Sequence, residues 1–140
     1  MPLPTALHGS VDVTLRDGTL RLPDRFTIPF AGGLVITSWL DGCLALWPRS
    51  SWEDLSARLM ALPIADSAAR AFARLLFASA IELAEGLRSV RLPERHRRNA
   101  DLGDDAVLVG AGDHVEIWSR QRWTEQATRR LDDFSSALAF

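Results

Sequence analysis

Leu20-Arg21-Leu22-Pro23-Asp24-Arg25-Phe26 returns further along the chain as Val90-Arg91-Leu92-Pro93-Glu94-Arg95-His96, at an offset of 70. Working outward, Leu46-Trp47-Pro48-Arg49-Ser50-Ser51-Trp52 returns as Ile117-Trp118-Ser119-Arg120-Gln121-Arg122-Trp123, at an offset of 71. Two separate matches at nearly one spacing, each Trp pair five residues apart, identify a tandem duplication. Internal repeats set the fold before any single element does.

Each copy opens with short β-type runs. In the first copy these are residues 11–15, 20–22, 34–37 and 44–47, and in the second 81–84, 89–92, 107–109 and 115–118. Asp17-Gly18, Gly32-Gly33, Asp41-Gly42 and the stretch 110–113 punctuate them as turns. A helix follows each β stretch. After Pro48, Trp52, Leu55, Leu59 and Leu62 fall at helical spacing, and after the N-cap candidate Ser119 so do Trp123, Ala127, Leu131 and Phe134. A further helix from Asp66 to about Ala78 links the halves, with Ala69, Phe72 and Leu76 on one face. Neither β portion is long enough to bury a core alone. The two are therefore expected to interleave into one pseudo-symmetric α+β unit with helices set apart from the sheet. Leftover strand edges and apolar helix faces favour self-association.

The composition narrows the function. At 140 residues, 47% hydrophobic and 24% charged, the chain reads as one globular domain with a core of its own. One cysteine, Cys43, excludes an internal disulfide framework and a cysteine-based zinc site. His8, His96 and His114 are scattered, with no metal-ligand spacing, so they are expected in surface or pairing roles and no metal or cofactor is implied. No apolar run is long enough to span a membrane. The start, Met1-Pro2-Leu3-Pro4, has neither a charged nor an apolar signal region, which points to a cytoplasmic protein. All 16 basic residues are arginine, with no lysine and no tyrosine, so lysine chemistry is ruled out. No grouping of nucleophile, base and orienting residue recommends an enzyme. Net charge, at −2, gives no global attraction to nucleic acid.

Taken together, the duplicated Leu-Pro-Asp/Glu-Arg strand ends, the run Leu40-Asp41-Gly42-Cys43-Leu44-Ala45-Leu46-Trp47-Pro48, residues 69–80 of the linking helix, and Val107-Leu108-Val109-Gly110 followed by Val115-Glu116-Ile117-Trp118 resemble the MraZ family. The resemblance covers nearly the whole chain. It implies two AbrB/SpoVT-type swapped-hairpin repeats, a first at 8–51 and a second at 79–122, joined by linking helices at 52–78 and followed by a C-terminal helix at 123–140. It also implies a nucleoid-associated transcriptional regulator. Such a protein binds direct repeats of double-stranded DNA ahead of the division and cell-wall cluster, and assembles into ring-like homo-oligomers. Several weak identical modules on a repeated operator would multiply effective concentration.

The chain departs from the family where DNA is held. The family signature Asp-x-Lys-Gly-Arg precedes each Leu-Pro strand end. Gly18 takes the Gly position of the first copy, with Asp17 at Lys, Thr19 at Arg, and Leu15 at Asp, unless a deletion gives that role to Arg16 or Asp17. In the second copy Glu85 matches the Asp, while Arg88 stands at Gly and Ser89 at Arg. Both signature arginines are missing, and Asp17 would repel phosphate. Arg16 and Arg88, beside the two turns, could present guanidinium groups instead, or be solvated turn residues. Arg21 and Arg91 alternate with apolar neighbours and so face away from the core, where they either line a DNA-facing surface or pair with acids across the strands. Arg16, Arg21, Arg88 and Arg91 are the candidate DNA-binding residues. Arg88, Arg91, Arg95, Arg97 and Arg98 also form the strongest basic run, opposed by Glu94 and followed by Asp101, Asp104 and Asp105. Trp47, Trp52, Trp118 and Trp123 are expected in packing, and Trp39, nearer a turn, at an interface. The reading of a different class is an oligomeric scaffold that keeps the fold without binding DNA.

Overall fold

Each half of the chain lays down four short strands before its longer helices. In the computed structural model, described over residues 6–138, the first half forms β1 (Ser10–Thr14), β2 (Thr19–Arg21), β3 (Leu34–Ser38) and β4 (Leu44–Pro48). The second forms β5 (Ile81–Leu83), β6 (Ser89–Arg91), β7 (Asp105–Gly110) and β8 (Val115–Ser119). The reading of Met1-Pro2-Leu3-Pro4 lies outside the described residues, as does the end of a C-terminal helix reaching 140.

The two halves interleave. Six strands pair antiparallel in the order β1-β7-β8-β4-β3-β5, and β2 pairs with β6 as a separate ribbon. Exchanging β1 with β5, β3 with β7 and β4 with β8 reads the same order backwards, so the sheet has a pseudo-two-fold axis. Each copy's first strand lies against the other copy's hairpin, β1 on β7 and β5 on β3. That exchange makes the unit a swapped-hairpin duplication, an α+β unit with flanking helices, as the resemblance implies. The axis passes between Leu20 and Val90 in the ribbon and between Ala45 and Glu116 in the sheet. Those are the residue pairs that the sequence offsets of 70 and 71 make equivalent.

Alternation then assigns the sheet two covered faces. On one face Ile36, Leu46, Leu108 and Ile117 meet Leu20, Leu22, Val90 and Leu92 of the ribbon and its strand ends, with Phe26. On the other, Val35, Ala45 and Trp47 pack under Trp52 and Leu59 of α2 (Arg49–Met60, the second helix) and Leu76 of α3 (Ser67–Ser79). Trp118 is buried, Trp123 is half-buried at 5.9 Å from it, and Trp39 packs edge-on to Trp47 at 4.9 Å. The side chain of Asp66 caps α3 by accepting from the amides of Ala68 and Ala69. No helix among the described residues is long and apolar enough to cross a membrane.

The helices differ from expectation in two places. One-turn α1 (Asp24–Thr27) and short α4 (Glu94–Asn99) follow Pro23 and Pro93, where the sequence suggested only strand ends. Proline followed by an acid in the first turn favours a helix start. Helix α5 (Arg120–Ala127), capped by Ser119, stops well before Phe134, and Leu131–Leu138 is a 3₁₀ segment. The hydroxyls of Thr124 and Thr128 donate back to the carbonyls of Arg120 and Glu125. Asp133 then accepts from the Arg130 amide, which closes a new turn and ends the α-helical register.

Candidate nucleic-acid interface

The site is built on the β2–β6 ribbon. Leu20 and Val90 face each other and are fully buried, so alternation turns Thr19, Arg21, Ser89 and Arg91 outward. In register, Arg21 stands opposite Ser89 and Arg91 opposite Thr19. The ladder runs one step further at each end, where the Leu92 amide donates to the Gly18 carbonyl and the Leu22 amide to the Arg88 carbonyl, both at 2.8 Å. At the first end, Asp17 and Gly18 hold φ of 51° and 75° in a two-residue turn closed by Arg16 and Thr19, whose amides and carbonyls bond reciprocally at 2.9 Å. This is the primed turn that Asp-Gly favours.

The four candidate arginines therefore share one ribbon. Arg16, bridged to Thr19, stands level with Arg91 on the other side of that residue, Arg21 lies two positions along, and Arg88 stands at the far end opposite Leu22, a span of about 10 Å at strand rise. All four are exposed. Among the described residues none of them forms an ion pair or a side-chain hydrogen bond. Cross-strand pairing of Arg21 and Arg91 with acids, one of the two sequence readings, is not what the register gives: their partners are Ser89 and Thr19. Other arginines are engaged with the protein. Arg25, Arg49, Arg70 and Arg122 donate to the carbonyls of Ser10, Gly32, Ile64 and Gly42, and Arg120 pairs with Asp12 at 3.5 Å.

Helix α4 divides the basic run. Arg95 lines a groove against Leu75, Ala78 and Ser79 of α3, while Arg97 lies against Gly18 and its Nε donates to the Leu92 carbonyl at 3.0 Å. Only Arg88 and Arg91 of that run belong to the ribbon. Sequence reasoning counted Arg97 only as part of the basic run, and no local motif signals its inward contact. His96 shows the opposite case. It stands where the first copy has Phe26, is buried likewise, and its Nε2 lies 2.7 Å from the Ser79 carbonyl. The repeat itself carried that signal.

A second polar centre lies on the other covered face of the sheet, away from the ribbon. The buried His114 ring stacks on Trp47 at 4.4 Å, with Nδ1 2.8 Å from Asp113 and Nε2 3.0 Å from Glu116. Glu116 also accepts from the Trp118 indole at 2.9 Å. Burial opposes the charged imidazole, but the hydrogen bonds and charges of Glu116 and Asp113 together outweigh it, and the pKa rises above its ordinary value. Cys43 is buried, with its thiol donating to the Leu40 carbonyl. Burial foremost, then Glu116 and Asp41, push its pKa far up, as for an inert core thiol.

What the ribbon can do chemically is bind anions along a line. A two-stranded ribbon fits a DNA major groove, and guanidinium groups bind phosphate or the N7 and O6 edge of guanine. Comparison with known proteins gives the family. The family described as "MraZ protein, putative antitoxin-like" matches residues 10–75 and 89–139, one segment per repeat. A protein of Roseiflexus castenholzii named transcriptional regulator MraZ is 38% identical over 117 residues, covering 82% of each chain. Those of that name from Thermomicrobium roseum and Mycobacterium ulcerans are 41% identical over 112 residues and 40% identical over 121, covering 79% and 86% of this chain and 78% and 85% of their own.

Proposed function

The chain belongs to the MraZ family, and from that premise we propose that it is a DNA-binding transcriptional regulator whose β2–β6 ribbon is the DNA-reading element. The family is one of regulators and not of enzymes. The observation that carries the reading is the row of Arg16, Arg91, Arg21 and Arg88, exposed on one ribbon and, among the described residues, without protein partners. Arg21 and Arg91, related by the pseudo-two-fold axis, contact the groove, and Arg16 and Arg88 contact phosphate on either side. The repeats at 8–51 and 79–122 supply one strand each. Rings of such subunits engage direct repeats near a promoter in the cytoplasm, on the nucleoid, and occlude RNA polymerase. Exposed Leu40, Leu75 and Leu131 supply apolar surface for that assembly.

Fluorescence anisotropy with the upstream DNA and a scrambled control, from 50 to 200 mM salt, tests this. With six to ten phosphate contacts affinity falls by about 10³–10⁵ across that range. Replacing Arg21 and Arg91 together by Ala is expected to weaken binding at least about tenfold while assembly and melting stay as they were. Unchanged binding in that variant rejects the ribbon as the site. A second reading rests on Asp17, which puts a negative charge on the turn where the family pattern has lysine. In that case the chain is an oligomeric scaffold, and it assembles while holding no DNA even at 50 mM salt.

A further inference from the structure

We propose that Arg97 is a positioning residue of the DNA-binding ribbon, a clamp by which the second repeat fixes the first repeat's turn and so aims Arg16. The inference rests on the ribbon's being the DNA-binding element. Arg97 touches both sides of the ribbon's first end. Its Nε donates to the Leu92 carbonyl at 3.0 Å, and the Leu92 amide in turn donates to the Gly18 carbonyl at 2.8 Å. Its guanidinium lies flat against Gly18, where a Cβ would sit 2.7 Å from Cζ and 2.9 Å from Nε. Gly18 therefore has two reasons to be glycine: its φ of 75° and the room taken by Arg97. With its N–H on Gly18 and its carbonyl on Arg97, Leu92 ties the Arg16–Thr19 turn to the start of α4.

The ribbon's other end has no such clamp. Thr27 stands at the position equivalent to Arg97, and its hydroxyl is spent on the Asp24 carbonyl within its own turn, at 2.7 Å. Arg88 takes the place of Gly18, and Gly86 in the preceding loop has open space around it. A pseudo-symmetric ribbon thus presents one arginine from a clamped turn and one from an end held only by the ladder bond between Leu22 and Arg88. Holding a contact group in its bound geometry raises affinity without a new contact.

The test is a double-mutant cycle in DNA binding, read with its salt slope, on the full chain. Arg97→Ala is expected to reproduce Arg16→Ala, with affinity down about tenfold and the slope of log K against log salt smaller by about 0.9, one phosphate contact. The double variant is expected to be no worse than either single one. Additive losses, with the slope falling by about 1.8 in the double variant, would make Arg97 a phosphate ligand itself and overturn the clamp. Arg97→Lys keeps a donor for Leu92 and serves if the alanine variant does not fold; it is expected to fall between wild type and Arg16→Ala, and full loss or no loss counts against the clamp. Amide exchange at Thr19 and Leu92 separates this inference from the one beneath it. If wild type holds no DNA, the ribbon reading fails, yet Arg97→Ala or Arg97→Lys must still speed exchange at both amides for the clamp to stand.

Discussion

The pseudo-two-fold axis crosses the chain at two places, and the chemistry there differs. In the ribbon the facing pair is Leu20 and Val90, both fully buried, and the charge lies on the outer face as arginines without protein partners among the described residues. In the sheet the facing pair is Ala45 and Glu116, and the carboxylate is held by His114 and by the Trp118 indole. A charge under the helices sits at low dielectric and must be satisfied from within. An exposed guanidinium loses little by standing alone. The difference separates charge used to hold the fold from charge left for a partner outside it.

The largest effect expected is at the ribbon's apolar pair. Leu20→Ala is predicted to cost about 2–5 kcal/mol, because a fully buried leucine is removed from a ladder only three residue pairs long. Urea denaturation measures it, and a loss under about 1 kcal/mol, the size of an ordinary mutational change, would show the ribbon held by something else. Glu116→Ala is predicted next, at about 1–3 kcal/mol, since it leaves the Trp118 N–H and Nε2 of His114 without their acceptor. Arg21→Ala, by contrast, should stay within about 0.5 kcal/mol of wild type. If Arg21→Ala destabilises as much as Glu116→Ala does, the distinction between fold-holding and free charge collapses, and with it the case for the ribbon as a binding surface.

The sequence carried the framework of this contrast, for identifiable reasons. The offsets of 70 and 71 identified the duplication and its equivalent residues, while the strand register decided which equivalent pairs, Leu20 with Val90 and Ala45 with Glu116, lie on the axis. Asp17-Gly18 was legible as a turn, Asp66 as a helix start, Ser119 as a cap, and the outward alternation of Arg21 and Arg91 from Leu20, Leu22, Val90 and Leu92. Those are local rules of one or two turns. What escaped depends on contacts between distant segments. Arg97 meets Gly18 only because α4 follows β6 beside the opposite copy's turn. His114 has Asp113 and Glu116 beside it in the chain, but it meets Trp47 only once the two hairpins lie side by side. The end of α5 was missed for a different reason: the apolar spacing out to Phe134 was real, but two threonines and Asp133 rewired the backbone beneath it.

The subtlest test follows the charge on His114. Its folded pKa lies above the ordinary 6.5, since Glu116 and Asp113 outweigh burial. A group whose pKa is raised by folding binds its proton more tightly in the folded state. Its contribution to stability is then complete below the unfolded value and fades as pH climbs through the folded one. Stability is therefore predicted to fall between about pH 6.5 and the raised folded value. Urea midpoints across that range, for wild type and for His114→Phe, would measure the decline, with His8 and His96 common to both chains. The phenylalanine ring keeps the stack on Trp47 but carries no proton, so the wild type should lose stability faster with rising pH than the variant does. Equal slopes would mean that Glu116 needs only the Trp118 indole. The sheet's crossing would then be held by a neutral hydrogen bond, and the contrast with the ribbon would be one of burial rather than of paired and unpaired charge.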